Sequence, residues 1–268
     1  MTYFPPKAGE PKFLKTMRIS ADEQKMKRQA KIGRAALTGS LVVLIGGLLL
    51  TLIGPQYGLL TPQNTTLFLV VYMAILAVGF TVSRVGMYYG NRYLSPTRPE
   101  LMLREKLKGL DRKYVLMLFQ KPTDYYLVEP GGVTAIITRA TGVRRNSQSA
   151  STITYKAGKW NTRTSFFSSW FGQEEPFGDP MADAATAAKA INDQIAAYDA
   201  NLKVPVRAVV LFTNTNLTLN IEPSPTAVLK IDDLKDFVRS TSKLKELPSS
   251  IQRKMREALG APELQKME

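Results

Sequence analysis

The sequence predicts a membrane-anchored α/β protein, in which a two-helix transmembrane hairpin is followed by an α/β domain with a mixed central sheet. Three observations carry this. Ala35 to Ile53 and Thr66 to Ser83 contain no Asp, Glu, Lys or Arg. A helix rises about 1.5 Å per residue, so each run is long enough to cross a hydrocarbon core of about 30 Å. From Lys113 the apolar pattern turns from helical to strand-like, and an Ala-rich helical stretch then leads into VPVRAVVLFT, whose β-branched run marks a strand covered on both faces.

The expected organisation is a basic arm and helix over 1–34, the hairpin over 35–89 and the α/β domain over 90–268. The arm MTYFPPKAGEPKFLKTMR carries three prolines and no clear period, as an extended strap on a neighbouring protein or a disordered tail would. Ser20 and Glu23 fit a capping box that starts a basic helix running into the first span. Ala36, Gly39, Ser40, Gly46 and Gly47 on the first helix, with Ala74, Ala77 and Gly79 on the second, offer small faces for close helix packing.

Charge sets the expected orientation. Residues 1–34 hold nine basic and three acidic side chains, residues 84–121 hold the same numbers, and the loop Gly54 to Thr65 holds none of either sign. The positive-inside rule then puts both termini in the cytoplasm, with the loop outside an inner membrane. Arg34, Arg84, Tyr88, Tyr89, Arg92 and Tyr93 are the expected interfacial anchors. The net charge of +14 lies mostly in these two flanks, while residues 122–221 and 222–268 each carry +1. A basic belt beside an anionic leaflet gains on the order of 1 kcal/mol per residue, so lipid headgroups account for the charge and nucleic acid is not required.

The chain has no Cys and no His. Thiol nucleophiles, disulfides, iron–sulfur ligation and nearly all zinc sites are excluded, as is the commonest general base. No ionisable residue lies deep in either span, which argues against an ion pathway.

In the distal part, Pro99 suits the first turn of a helix whose Leu101, Leu103, Leu107 and Leu110 share a face, with Gly109 near its end. YVLMLF, DYYLV and VTAIITRATGV read as strands, and Glu129-Pro130-Gly131-Gly132 between the last two is a turn. SASTITYKAGKWNT continues in β pattern and TSFFSSWFGQEEPFG reads as an aromatic loop. Pro180 to Leu202 should be a helix burying Met181, Ala185, Ala188, Ile191, Ile195 and Tyr198. LTLNI and AVLKI follow the buried strand, then helices over LKDFVRS and SSIQRKMREALG.

This order resembles the NERD (nuclease-related) domain, a relative of the restriction-endonuclease-like fold found in many bacterial proteins. Asp124 opens DYYLVEPGGVTAIITRATGV, Trp160 stands at the family's Trp position, Asp179-Pro180-Met181 opens the helix, and VRAVVLFTN supplies the later strand. The resemblance covers about residues 100–240 and implies a restriction-endonuclease-like α/β domain. The family's chemistry rests on an Asp and a Glu sharing Mg²⁺, with a Lys that positions water. Here the Glu position falls on Ile137, the Lys position on Arg139 and the Gln position near Asp183, leaving Asp124 as the matching carboxylate. Isoleucine cannot ligate a cation, and an Arg with a pKa above about 12 cannot act as a base.

The expectation is therefore a pseudoenzyme with no catalytic residue, metal or cofactor. It would serve as an interaction module or an accessory subunit of a larger membrane protein complex. The alternative is a membrane-tethered nuclease or nucleic-acid binder, for which Arg144, Arg145, Lys156, Lys159 and Arg163 would line one rim.

Overall fold

The computed structural model describes residues 17–58, 65–95, 98–139, 152–162, 177–242 and 246–262. Two compact units result, one from the described residues up to Ala21 and from Met102 onward, the other from Asp22–Leu101.

The helical unit is a hairpin of α1 (Glu23–Ile53) and α2 (Thr65–Tyr93), joined through a 3-10 turn at Gly54–Tyr57. Asp22 caps α1, its carboxylate accepting from the Lys25 amide at 2.8 Å. The capping box expected at Ser20 does not form, because Ser20 lies in a strand and its hydroxyl accepts from the Gln120 amide at 2.7 Å. The seam between the helices uses Gly33, Ser40 and Gly47 of α1 against Gly79, Gly86 and Tyr93 of α2, the buried residues of each. Seven-residue spacing on both helices keeps one stripe facing the partner. A Cβ at Gly86 would stand 2.8 Å from the Leu37 amide nitrogen, and one at Gly79 would stand 2.8 Å from Leu44. Gly39 and Gly46 were expected in this seam, but a Cβ at either would meet nothing within 4 Å. Outside the seam the apolar side chains are open, with Val42 65 % and Leu67 66 % exposed.

The other unit is built on a six-stranded mixed sheet in the order β1-β2-β3-β4-β7-β9. Its strands are β1 (Arg18–Ala21), β2 (Val115–Leu118), β3 (Tyr125–Glu129), β4 (Gly132–Arg139), β7 (Val206–Phe212) and β9 (Ala227–Lys230). β2, β3 and β4 form an antiparallel meander, while β7 lies parallel between β4 and β9, as its continuous apolar run predicts. β1 was not expected. It precedes the hairpin, yet runs parallel to β2 with Arg18 opposite Val115 and Ala21 opposite Leu118. A second sheet, β6-β5-β8, contains β5 (Thr152–Lys156), β6 (Lys159–Thr162) and β8 (Thr218–Ile221).

Helix α3 (Pro99–Lys106) opens on Pro99 as expected. Leu103, Leu107 and Leu110 are buried, whereas Leu101 is 36 % exposed. Helix α4 (Pro180–Tyr198) carries Pro180 in its first turn and Asp179 as N-cap, whose carboxylate accepts from the Met181 and Ala182 amides. α4 lies over β4 and β7. Its buried face is Ala184, Ala187, Ile191 and Ile195, one residue off the expected Ala185 and Ala188, and Tyr198 is 50 % exposed. Consecutive alanines do not mark a face, so the face is set by stepping back in turns from Ile195 and Ile191. α5 (Leu234–Ser242) and α6 (Ser249–Ala258) complete the unit, and Met255 and Leu259 join α4 and the meander in one apolar cluster.

The β3–β4 turn shows which glycine is required. Glu129 pairs with Gly132 across Pro130-Gly131, and Gly132 has φ +152. A Cβ there would lie 2.3 Å from the Pro205 carbonyl oxygen, which accepts from the Val133 amide at 3.0 Å. Gly132→Ala is expected to cost at least about 2 kcal/mol, from a conformation closed to L side chains and a clash with backbone. Thermal unfolding should show a melting temperature lower by about 4 °C or more.

Candidate functional site

Of the positions singled out by the nuclease pattern, Arg139 and Asp183 meet at the C-terminal end of β4, on the strand that also carries Ile137. Tyr126 stands opposite Ala135 in the β3–β4 ladder, so Asp124, just ahead of β3, enters at the level of Ile137. The Phe119 amide donates to the Asp124 carbonyl at 2.6 Å. Ile137 packs against two apolar clusters, one containing Ala187 and Ile191 and the other containing Phe212. Arg139 forms an ion pair with Asp183, in the first turn of α4, and its Nε donates to the Phe177 carbonyl at 3.1 Å. A second guanidinium nitrogen donates to the Thr138 carbonyl at 3.1 Å.

Chemically this end of the sheet is a closed ion pair beside an apolar wall. A Mg²⁺ site needs at least two hard oxygen ligands that converge with room for water. Ile137 offers a branched alkyl group, and Asp183 already neutralises a fixed cation. The residues present do not fit the metal that the fold resemblance implies. Among the described residues no three His, Cys, Asp or Glu side chains gather into a metal-binding group.

Of the expected basic rim, Lys156 and Lys159 are described, whereas Arg144, Arg145 and Arg163 lie outside the described residues. Lys156 and Lys159 are opposite each other at the tip of the β5–β6 hairpin and both are exposed. The turn between them, Ala157 and Gly158, has positive φ at both positions. Its Ala157 amide donates to a Glu222 carboxylate oxygen at 2.9 Å, so an acid sits within the basic tip. Trp160 lies 5.3 Å edge-on from Phe177 and 6.1 Å from Phe212, as part of an aromatic core.

The six residues expected as interfacial anchors divide by environment. Arg34 and Tyr88 are exposed, Arg84 and Tyr89 are half-buried, and Tyr93 is buried and stacked on Tyr89 at 6.1 Å. Arg92, also half-buried, donates to the Tyr88 hydroxyl at 3.0 Å and lies 5.9 Å over its ring.

A polar cluster that the sequence did not reveal sits at the other end of β4. Glu129, 2 % exposed, accepts from the Thr134 hydroxyl at 2.5 Å and pairs with Arg207 at 2.7 Å. Arg207 also donates to the Thr134 hydroxyl oxygen and packs over the Phe237 ring at 5.2 Å. Burial holds the Glu129 carboxyl above its ordinary 4.5, against the pull of the Arg207 charge and the Thr134 hydrogen bond. Read from sequence, Glu129 was a turn residue, and only the register turns it inward. A second buried charge, Arg256, donates to the Lys113 carbonyl at 2.6 Å, and burial pushes its guanidinium below the usual range, with Arg18 adding to the effect.

The raised Glu129 fixes a sign. Just above pH 4.5 the folded state holds a proton that the unfolded state has released, so this group lowers stability as pH rises until Glu129 itself ionises. Glu129→Gln has no such slope. Chemical denaturation over that window should show the variant gaining on the parent chain as pH rises. Glu129→Ala should instead cost about 3 kcal/mol, the low end for breaking a buried pair, because Arg207 can reach water. Comparison of the chain with known protein families, with curated proteins and with solved structures finds no match.

Proposed function

We propose that the chain is a membrane-anchored, non-catalytic NERD-like module that serves as an interaction module or accessory subunit of a larger membrane assembly. The Arg139–Asp183 ion pair carries this reading. Where the nuclease pattern wants a carboxylate and a lysine around a divalent cation, this chain has a packed isoleucine and a guanidinium neutralised by the nearest acid. A site of that composition holds structure together and activates no water.

The anchoring part rests on the hairpin and on β1. α1 and α2 are each long and apolar enough to cross a membrane, and most of their apolar side chains are exposed, unlike those of a core helix. β1 precedes the hairpin and β2 follows it, yet the two pair in one sheet, which supports placing both ends of the hairpin on one side of a membrane. The basic flanks favour the cytoplasm of an inner membrane as that side.

Three experiments test this. The full chain, purified in mild detergent, should show no Mg²⁺- or Mn²⁺-dependent cleavage of single- or double-stranded DNA or RNA, and other membrane proteins should co-purify with it. Cleavage lost on Asp124→Ala would replace this reading with the tethered nuclease, whose supporting observation is the exposed Lys156 and Lys159 pair. Ile137→Glu with Arg139→Lys should lower stability by about 2 kcal/mol, since it sets a carboxylate among apolar neighbours at a half-buried position and replaces the guanidinium paired with Asp183. For topology, a cysteine at Gln56 should label with an impermeant reagent in intact cells and one at Lys156 should not. The reverse pattern would overturn the orientation.

A further inference from the structure

Beyond the charge-free runs, both helices of the hairpin continue as a packed pair. α1 adds about 18 Å from Glu23 to Arg34, and α2 adds about 15 Å from Arg84 to Tyr93. Two close approaches fix their heights. A Cβ at Gly33 would lie 2.9 Å from the Tyr89 Cβ, and one at Gly86 would lie 2.8 Å from the Leu37 nitrogen. On antiparallel helices these contacts put Arg34 level with Tyr89 and Lys31 level with Arg92.

Lys27, Lys31 and Arg34 fall at i, i+4 and i+7, hence on one face of α1, and all three are exposed together with Arg28. The acid on this stretch of α1, Glu23, pairs with Lys27 at 3.5 Å. Arg92 is held toward Tyr88 by its hydrogen bond and its position over the ring. This basic band runs directly into an exposed apolar band, with Leu41 58 % and Val85 43 % exposed. A polyanion such as RNA matches the first band and not the second, whereas a phospholipid offers both a phosphate and acyl chains.

We propose that this end of the hairpin binds anionic phospholipid headgroups, with Lys31, Arg34 and Arg92 in the phosphate layer and Lys27 and Arg28 behind them. The distances agree. The headgroup layer is roughly 5–8 Å thick on each side of the hydrocarbon. Lys31 lies about 6 Å beyond Ala35 along the helix, and Lys27 about 12 Å, close to one Debye length farther out at physiological salt. The proposal rests on the membrane-anchored reading, which has its own test: extraction of the full chain from membranes by alkali would sink anchoring before any question of lipid choice arises.

The test uses the full chain in nanodiscs of mixed phosphatidylcholine and phosphatidylglycerol, released into native mass spectrometry to count retained lipids. The parent chain should retain phosphatidylglycerol in excess over its share in the disc. The excess should fall about fivefold for each charge removed in Lys31→Gln and Arg34→Gln. The charge-conserving Lys31→Arg with Arg34→Lys should keep it. No excess in the parent chain, or an excess that survives the double Gln variant, overturns the proposal. Displacement of the retained lipid by single-stranded DNA would assign the surface to a polyanion instead.

Discussion

The pairing of Arg18–Ala21 with Val115–Leu118 is the constraint on which the rest of the structure depends. It joins residues before the hairpin to residues after it in one sheet, so the α/β unit is discontinuous in sequence and the hairpin is an insertion within it. The pairing is short, but it is tied by a backbone hydrogen bond from Arg18 to the Tyr114 carbonyl and a side-chain bond from Gln120 to Ser20. Without β1, β2 would become the sheet edge, and its four residues are all buried. An open, wholly apolar edge is a template for association with other chains. The segment that leads into the hairpin is therefore also what closes the domain.

Strand β4 shows how guanidinium groups act as staples here. At its start Arg207 reaches from β7 past Thr134 to Glu129 on β3, so one side chain bridges three adjacent strands. At its end Arg139 reaches from β4 to Asp183 on α4 and to the Phe177 carbonyl. Both sites use several donors of one planar group at once, which a lysine ammonium on its flexible stem does not reproduce. The two clusters differ in cost. Asp183 is largely exposed, whereas Glu129 is buried and its carboxyl is disfavoured as an anion even with Arg207 beside it. Replacing such a buried pair by apolar residues can be neutral or stabilising, so the cluster is better read as fixing the β3–β4–β7 register than as a net source of stability.

The elements legible in the sequence are those with a strong period or a strong punctuation mark. The charge-free helices, the Pro99 and Pro180 helix starts, the meander and the central β7 all follow from such signals. β1 does not, because four residues reading RISA carry no alternation long enough to count and follow a proline-rich stretch. The same residues also match a helix cap, and local chemistry cannot decide between Ser20 in a cap and Ser20 in a strand when the deciding partner lies a hundred residues away in Gln120. The small-residue seam was legible at Ser40, Gly47 and Gly79 but not at its other positions, for a related reason. Glycine density on α1 pointed to Gly39 and Gly46, but the partner helix selects every seventh residue, and Gly33 and Gly86 lie where the apolar runs had been taken to end. Within the candidate site, Ile137, Arg139 and Asp183 were each legible as departures from a pattern. That the last two neutralise each other required the fold.

That neutralisation bears on how a domain of this kind could change its role. A divalent cation and its carboxylates form a neutral or near-neutral unit that also holds the strand end against the helix. If the cation is given up, the acids left behind repel, and the strand end loses a tie. An arginine at Arg139 supplies a permanent positive charge in covalent form, and Ile137 converts the neighbouring position into packing against Ile191 and Phe212. If the proposed resemblance is right, an Arg and an Ile at these positions stand where a site for water activation would be, and they leave a strand end that needs no ion. A structural subunit needs that, and a nuclease could not use it. In the proposed reading, selection then acts on what the sheet presents and where the hairpin holds it, and no longer on the end of β4.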